Sequence, residues 1–218
     1  MNVVYGAILS PFVRKVLMTL EYKQIAYQHE NVLPLRTPAE YVKISPLRKV
    51  PAFKDEYTTL ADSSVICDYL EHKYPQRALY PKTAVERAKA LWFEEYADAH
   101  LQPLLGPGLF FERLVTPVLF KRAPNQELIE KSLRALPAAQ DYLETQIPST
   151  GFLIGADLTI ADLILPGVFL NAVYAEYEVD ARRWPKLAAY LQRMFAHSLY
   201  LHRIEEERAV LAGLRPRS

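Results

Sequence analysis

Between Pro46 and Leu70 the chain reads PLRKVPAFKDEYTTLADSSVICDYL. Two short β-prone runs, residues 50–53 and 58–60, flank a polar turn at 54–56, and this arrangement predicts a β-hairpin. Apolar residues then recur at helical spacing, and the serine pair at 63–64 can provide the N-cap of a helix. The segment therefore predicts two antiparallel strands followed at once by a helix.

Two dipeptides in this segment suggest a ligand site. Val50 precedes Pro51 at a strand start, and an X-Pro bond is the one peptide bond that becomes cis at low cost, although trans is commoner. A cis bond would leave the backbone N–H and C=O of Val50 available to an extended peptide, as in strand addition. Asp62 and Ser63 stand where the helix begins, so their side chains and the helix N–H groups could hold an amino acid end. A serine there is, taken alone, more commonly a helix cap.

The combination of Lys49-Val50-Pro51, a hairpin and Asp62-Ser63 resembles the glutathione-binding half of the cytosolic glutathione S-transferase family. In that family the segments read Lys-Val/Ile-Pro and Glu/Asp-Ser, and glutathione lies extended along them. The resemblance implies that Lys49, Val50, Asp62 and Ser63 bind glutathione as a co-substrate.

Composition sets outer limits on the function. The 218 residues are 50% hydrophobic and 23% charged with a formal net charge of +1, which indicates a soluble globular protein. So balanced a charge gives no electrostatic argument for nucleic acid or an anionic membrane as partner. The single cysteine, Cys67, allows no internal disulfide, no signal peptide is recognisable, and no apolar run is long enough to span a bilayer. We expect a cytoplasmic protein, and we expect no metal site.

The first half of the chain predicts a β-α-β, α, β-β-α order. Residues 2–5 and 25–32 read as strands, and 38–44 as a short helix or irregular connection. Ser10-Pro11 opens a helix, with a hydroxyl at the N-cap and proline at the first helical position. The charged residues of this helix are expected to point to water, and they are Arg14, Lys15, Glu21 and Lys23. Together with the hairpin and its helix, this order is the thioredoxin-like arrangement.

Ser10 is the residue on which chemistry would depend. By spacing alone it is a plain helix cap. The family resemblance implies more, because in several glutathione transferase classes a serine in a pattern like Ser-Pro-Phe-x-x-Arg/Lys-Val hydrogen-bonds the glutathione sulfur. The match here is SPFVRKV, from Ser10 to Val16. The hydroxyl would donate to the thiolate, and the helix N-terminus would add positive potential.

Tyr5 competes with Ser10 for this role, because other classes of the family use a tyrosine in that region. Classes that exchange thiols and disulfides have a cysteine where Ser10 stands, and Cys67 reads instead as a buried thiol inside a helix. Exchange through an enzyme cysteine is therefore disfavoured.

Basic residues near the hairpin are candidates for the glycine carboxylate of glutathione. Many family members have a basic residue before Ser-Pro, where this chain has Arg36 before Thr-Pro. Arg36 or Lys49 could take that role, and an exposed, solvated arginine is equally compatible. The chain departs from the family at Arg48, which replaces the glycine of Asn-Pro-x-Gly. If that glycine has a positive φ, Arg48 strains the turn or changes it.

A domain boundary is expected after Tyr74, where two prolines end the helical pattern. The expected division is 1–78 for a glutathione-binding domain, 79–86 for a linker and 87–218 for an all-helical domain. Pro107 and Pro117 are expected to interrupt the second helical run. Further on, Thr159 and Asp162 predict a capping box that starts a buried helix, and the family has a very similar box.

The resemblance implies that a hydrophobic co-substrate binds between the domains. Candidate residues for its site, which could equally belong to the core, are Leu9, Phe12, Leu35, Phe110, Phe111 and Leu114. The leading hypothesis is a homodimeric glutathione transferase of the serine-type, bacterial-like kind, acting on small electrophiles. The alternatives are a glutathione-dependent peroxidase or maleylacetoacetate-isomerase-like enzyme, and a non-catalytic interaction module.

Overall fold

The chain folds into two compact units, Met1–Lys82 and Thr83–Ser218. A computed structural model describes residues 1–34 and 37–214. The first unit contains a sheet with helices, and the elements described in the second unit are helical. The thioredoxin-like and all-helical fold classes are therefore confirmed. The domain limits at 1–78, 79–86 and 87–218 stay a prediction, and the first helix of the second unit begins at Ala84, within the predicted linker.

The sheet of the first unit has four strands in the order β2-β1-β3-β4. β1 pairs in parallel with β2, whereas β1 with β3 and β3 with β4 pair antiparallel. The elements of this unit are β1 (Asn2–Tyr5), α1 (Pro11–Tyr22), β2 (Tyr27–Glu30), a 3₁₀ turn (Ala39–Lys43), β3 (Ala52–Lys54), β4 (Thr59–Ala61) and α2 (Ser63–Lys73). The β1–β3 register ends at Tyr5 opposite Ala52, so Val50 lies just beyond the ladder.

The N-cap of α2 differs from the prediction. Asp62, and not Ser63 or Ser64, caps the helix, because its carboxylate oxygen accepts from Ser64 N at 2.9 Å and from Val65 N at 3.1 Å. Aspartate is among the best N-caps, and one residue can satisfy two of the helix's orphan donors. Ser63 becomes the first residue of the helix.

The charged residues of α1 correct a second prediction. Arg14 and Lys15 are fully buried, Lys23 is buried, and Glu21 is half-buried. Lys15 Nζ donates to Ser64 Oγ at 3.0 Å, and Lys23 Nζ pairs with Glu71 at 2.7 Å. Glu21 accepts from the Tyr27 hydroxyl at 2.8 Å. Lys15 and Lys23 tolerate burial because partners about 50 residues away in sequence satisfy them, and helical periodicity cannot reveal such partners.

The second unit begins with a helical run from residue 84 to 119. Its elements are α3 (Ala84–Glu95), π-helical turns (Tyr96–Leu101), α4 (Gln102–Leu105), further π-helical turns (Gly106–Val115) and α5 (Thr116–Leu119). The predicted interruption is found, because the α-helix gives way to π-helical turns at Gly106 and resumes only at Thr116, although the run stays helical throughout. Pro107 lies within wider π-helical turns, and Pro117 lies in the first turn of α5, where a missing N–H costs little.

Four more helices complete this unit as far as it is described: α6 (Gln126–Gln146), α7 (Ile160–Tyr174), α8 (Pro185–Phe195) and α9 (Ser198–Leu214). The predicted capping box at the start of α7 is confirmed. Asp162 accepts from Thr159 N at 2.9 Å and also from Leu153 N at 2.8 Å and Tyr190 Oη at 2.7 Å. Burial raises the pKa of Asp162, although these hydrogen bonds oppose the rise. The residue anchors a helix whose first thirteen residues are all buried.

Candidate active site

Ser10 lies at the N-terminus of α1, directly before Pro11. Its backbone is extended, with φ −74° and ψ 125°, and its Oγ accepts from Val13 N at 3.4 Å. That distance is beyond the usual range for a strong hydrogen bond. A hydroxyl that accepts still has its own proton to donate, and Ser10 is only half-buried. Ser10 therefore caps the helix and retains a donor for a ligand.

The first turn of α1 has no acidic residue. The orphan N–H groups and the helix dipole thus favour negative charge beside Ser10 without competition from a local carboxylate. A thiolate at this point would meet one hydroxyl donor and a positive helix end. This arrangement can stabilise an anion, and the serine need not ionise.

Tyr5, the competing candidate, lies on β1. Its ring is half-buried and packs edge-on against Tyr41, with ring centroids 6.4 Å apart. Burial, with a smaller contribution from Glu30, raises the pKa of the Tyr5 hydroxyl. Ser10, and not Tyr5, stands at a helix N-terminus, where the orphan N–H groups add positive potential. The choice between the two residues stays a prediction.

Asp62 and Ser63 form the second half of the candidate site. Asp62 is exposed and uses one carboxylate oxygen, Oδ1, for both capping bonds. Its φ of 145° lies in a region that favours glycine and typically costs about 1–3 kcal/mol. The backbone thus holds the carboxylate across the first turn of α2, beside the buried Ser63. The Asp62 carboxylate can bind an ammonium group, and the helix N-terminus a few ångströms away can bind a carboxylate.

The segment before β3 has an unusual backbone. The Val50–Pro51 bond is cis, and Arg48 adopts φ 53°. Arg48 was predicted either to strain this turn or to change it. It strains the turn, because the arginine keeps the left-handed conformation that glycine would adopt more easily. Two side chains fix the next residue, since Ser45 Oγ and Tyr41 Oη donate to the Lys49 carbonyl at 2.8 and 3.2 Å. The Lys49 side chain is exposed.

The comparisons with known proteins agree with this geometry. The family description "Glutathione S-transferase, N-terminal domain" matches residues 4–78, and "Glutathione S-transferase, C-terminal domain" matches residues 109–198. Glutathione S-transferase 3 from Zea mays is 30% identical over 164 residues, which cover 72% of each chain. The chain belongs to the glutathione S-transferase family. Among other relatives of this glutathione S-transferase, a Triticum aestivum glutathione S-transferase is 29% identical over 85% of this chain and 84% of its own length.

A third relative has a different name. The protein named probable maleylacetoacetate isomerase 1 from Drosophila melanogaster is 28% identical over 83% of this chain and 72% of its own length. Solved structures also match. Human glutathione S-transferase T1-1 in its apo form aligns with a TM-score of 0.84 at 24% identity, over 97% of this chain and 89% of that chain. A Drosophila mojavensis glutathione transferase homologue with bound glutathione aligns with a TM-score of 0.78 at 27% identity, over 98% and 95%.

The remaining predicted site residues of this glutathione S-transferase divide into three groups. Arg36 and Leu35 lie outside the described residues. Leu9 and Phe12 are half-buried in the first unit, at the start of α1. Phe110, Phe111 and Leu114 are half-buried on the π-helical turns of the second unit, and Leu114 lines a cavity of that unit. A co-substrate site formed by these residues stays a prediction.

Three residues that support the site escaped the sequence reasoning. Lys15 links α1 to the first turn of α2 through Ser64, while Tyr41 and Ser45 hold the Lys49 carbonyl. The sequence carries a signal only for Tyr41 and Ser45, which are four residues apart just before the Lys49-Val50-Pro51 motif. Which groups these side chains bind is decided by tertiary packing.

Within residues 1–34 and 37–214 no group of three or more His, Cys, Asp or Glu side chains is arranged to hold a metal ion. No described helix is both long and apolar enough to cross a membrane.

Proposed function

We propose that this family member is a serine-type, bacterial-like glutathione transferase that activates glutathione as a thiolate for attack on small hydrophobic electrophiles. The observation that carries the proposal is the state of Ser10. Among the described residues its Oγ accepts a single long capping bond, from Val13 N, so its proton is available to a sulfur at the N-terminus of α1. Ser10 is then the catalytic residue, and it stabilises the nucleophile without forming a covalent bond.

The physical effect required of Ser10 is modest. Each unit by which the thiol pKa falls corresponds to about 1.4 kcal/mol of preference for the thiolate. A charge-assisted hydrogen bond together with the end of a helix dipole supplies roughly one to two units. A thiol with an ordinary pKa near 8.5 would then be largely ionised at neutral pH.

Glutathione would be held by the other residues of the first unit. Asp62 would pair with the ammonium of the γ-glutamyl residue, and Ser63 with the α2 N-terminus would bind its carboxylate. The backbone of Val50 would pair with the cysteinyl residue, because Val50 lies beyond the β1–β3 ladder. Lys49 or Arg36 would reach the glycine carboxylate. Asp62 is both an N-cap and a ligand group in this arrangement, since its Oδ2 is not needed for the cap.

The rest of the proposal concerns the co-substrate and the assembly. A hydrophobic electrophile would contact Leu9, Phe12, Leu35, Phe110, Phe111 and Leu114. We further propose a cytoplasmic homodimer. The exposed apolar side chains of α3, Val85 at 68% and Trp92 at 52%, would be covered by the second copy. Sedimentation of the wild type beside Trp92→Lys tests this, and two equally monomeric samples would contradict it.

A maleylacetoacetate-isomerase-like reaction is the second candidate. The similarity to the Drosophila melanogaster protein of that name supports it. Conjugation and isomerisation both need a bound glutathione thiolate, so Ser10 and Asp62 would have the same roles in each. A glutathione-dependent peroxidase would use this site as well. A screen of aromatic electrophiles, cis-enones and hydroperoxides with glutathione separates these reactions.

The first experiment is a calorimetric titration with reduced glutathione, followed by ultraviolet absorbance of the bound thiolate as a function of pH. S-methylglutathione is the matched control ligand, because it retains the peptide contacts and has no thiol to ionise. We expect both ligands to bind, and only glutathione to give a thiolate signal, with an apparent pKa below that of free glutathione. The absence of binding heat and of thermal stabilisation would contradict the proposal and favour a non-catalytic interaction module.

A further inference from the structure

Lys15 is a fully buried lysine on α1, five residues after Ser10. Lysine is almost never fully buried unless its ammonium group is paired, because that group must be taken out of water. Its Nζ donates to Ser64 Oγ at 3.0 Å, and Ser64 is the second residue of α2. The contact therefore ties the helix that begins beside Ser10 to the first turn of the helix that begins at Ser63.

The first turn of α2 is the proposed place for a ligand carboxylate, and this turn contains no acidic residue. Two of its N–H groups are already engaged, because Ser64 N and Val65 N both donate to the Asp62 carboxylate. The N–H of Ser63, the first helical residue, takes no part in these two bonds. The cap that orders the turn is thus itself an anion, and it stands beside the point where the carboxylate of the ligand would bind.

The charges at this helix end favour an anion only when Lys15 is counted. The N-terminus of a helix carries roughly half a positive charge, and Asp62 places a full negative charge beside it. These two charges alone would repel a second carboxylate. Lys15 adds a full positive charge 3.0 Å from the Ser64 hydroxyl, at a depth where water and salt screen it little. With Lys15 the balance at the first turn of α2 becomes positive.

We propose that Lys15 is a positioning residue for the α-carboxylate of the γ-glutamyl residue of glutathione, and that it acts through Ser64 and the first turn of α2. This inference rests on the proposed function, since it takes glutathione to bind beside Asp62 and Ser63. Lys15 would hold the first turn of α2 against α1 and offset the charge of Asp62. One helix end could then bind an ammonium group at the aspartate and a carboxylate at its N–H groups.

Glutathione and γ-aminobutyryl-cysteinylglycine are suitable probes, because the second peptide keeps the amine and the thiol and lacks only the carboxylate in question. Lys15→Met keeps the apolar stem of lysine and removes its charge. We expect this variant to bind glutathione about tenfold more weakly in calorimetry, and the carboxylate-free peptide as the wild type does. A merely structural role would weaken both peptides alike. Lys54→Met, which removes an exposed lysine of β3, is the matched control and should bind both peptides with wild-type affinity.

A second variant, Ser64→Ala, keeps the proposal testable if Lys15→Met fails to fold. Ser64 is half-buried and Asp62 remains the N-cap, so this variant should fold, and it should bind glutathione about threefold more weakly without any change for the carboxylate-free peptide. Wild-type affinity for glutathione in either variant, or an equal loss for both peptides, would overturn this inference alone. A wild type that does not bind glutathione would contradict the proposed function, and the inference with it.

Discussion

The N-termini of α1 and α2 provide the two halves of the candidate glutathione site, and they are capped in contrasting ways. Ser10 caps α1 from an ordinary extended backbone through one long bond of 3.4 Å. Asp62 caps α2 through bonds of 2.9 and 3.1 Å from a backbone with φ 145°. The first cap is neutral and weak, and the second is charged, strong and strained. The contrast implies that ligand chemistry can be separated from stability at Ser10 but is coupled to it at Asp62.

Asp62→Ala should have the largest effect, because it removes the cap and the ammonium ligand together. We expect the free energy of unfolding to fall by about 1 kcal/mol and glutathione binding to weaken by roughly 1–3 kcal/mol. Asp62→Asn is the matched variant: asparagine caps well, as Asn125 does at α6, but it has no charge. Chemical denaturation and calorimetry should show that the Asn variant loses affinity and keeps its stability. Wild-type affinity in both variants would remove Asp62 from the site.

Ser10→Ala should change chemistry more than stability. We expect the pKa of the bound glutathione thiol to rise by about one to two units, with glutathione affinity nearly intact. The stability loss should be near the lower end for a cap, about 0.5 kcal/mol, because the capping bond is long. Thiolate absorbance across pH measures the first effect and denaturation the second.

Thr83→Ala is the matched control for Ser10→Ala. Thr83 caps α3 through a similarly long bond, accepting from Glu86 N at 3.3 Å; its hydroxyl also donates to the Glu86 carboxylate at 2.8 Å, and it belongs to the helical unit. Its loss should lower stability at least as much as the loss of Ser10 does and leave the thiol pKa unchanged. If both variants shift the thiol pKa equally, or if neither does, the direct role of Ser10 is wrong.

Asp55 shows whether α2 depends on its cap alone or also on the hairpin beside it. Its carboxylate accepts from Lys73 at 2.7 Å and Tyr69 at 2.6 Å, both on α2, and from two backbone N–H groups of its own turn. Burial by itself raises the pKa of Asp55, but these hydrogen bonds outweigh it and hold the pKa well below its ordinary value.

Because this pKa is lower in the folded than in the unfolded protein, Asp55 stabilises the fold above about pH 4, and the contribution is lost as pH falls through the folded value. Asp55→Asn should therefore cost about 1–2 kcal/mol at pH 7 and progressively less towards pH 3. Denaturation of both proteins across this range measures it. Glu130→Gln, in an exposed ion pair, is the control, and a pH-independent cost in Asp55→Asn would contradict the explanation.

A substitution of Arg48 should have the smallest effect, and it tests how much a strained backbone costs when no ligand contact is involved. Its left-handed φ of 53° resembles the strain at Asp62, but its own side chain is not used by any proposed contact. Arg48→Gly should raise the free energy of unfolding by up to about 1 kcal/mol, since relief of strain is partly offset by the entropy of glycine in the unfolded state. Glutathione affinity should not change. Lys43→Gly, in the neighbouring 3₁₀ turn with ordinary φ, should destabilise instead.

Most of the fold could be predicted because its signals are local. Ser10-Pro11 and the box of Thr159 and Asp162 each mark a helix start within four residues, and the structure has helices beginning at Pro11 and Ile160. The hairpin followed by a helix was likewise readable from turn chemistry and periodicity. Local signals failed where two residues could serve equally well, and so Asp62 took the cap that was assigned to Ser63 or Ser64.

The sequence alone determined the thioredoxin-like order, the helical second half and the motifs that relate the chain to glutathione transferases, because these depend on short-range spacing. Only the tertiary structure decided which charges are buried and which residues support the site. Lys15 meets Ser64 across 49 residues, Lys23 meets the Tyr74 carbonyl across 51, and Arg113 meets Ala175 across 62. A periodic pattern records which face of a helix is apolar, but the partner that makes a buried cation stable is chosen by how the elements pack.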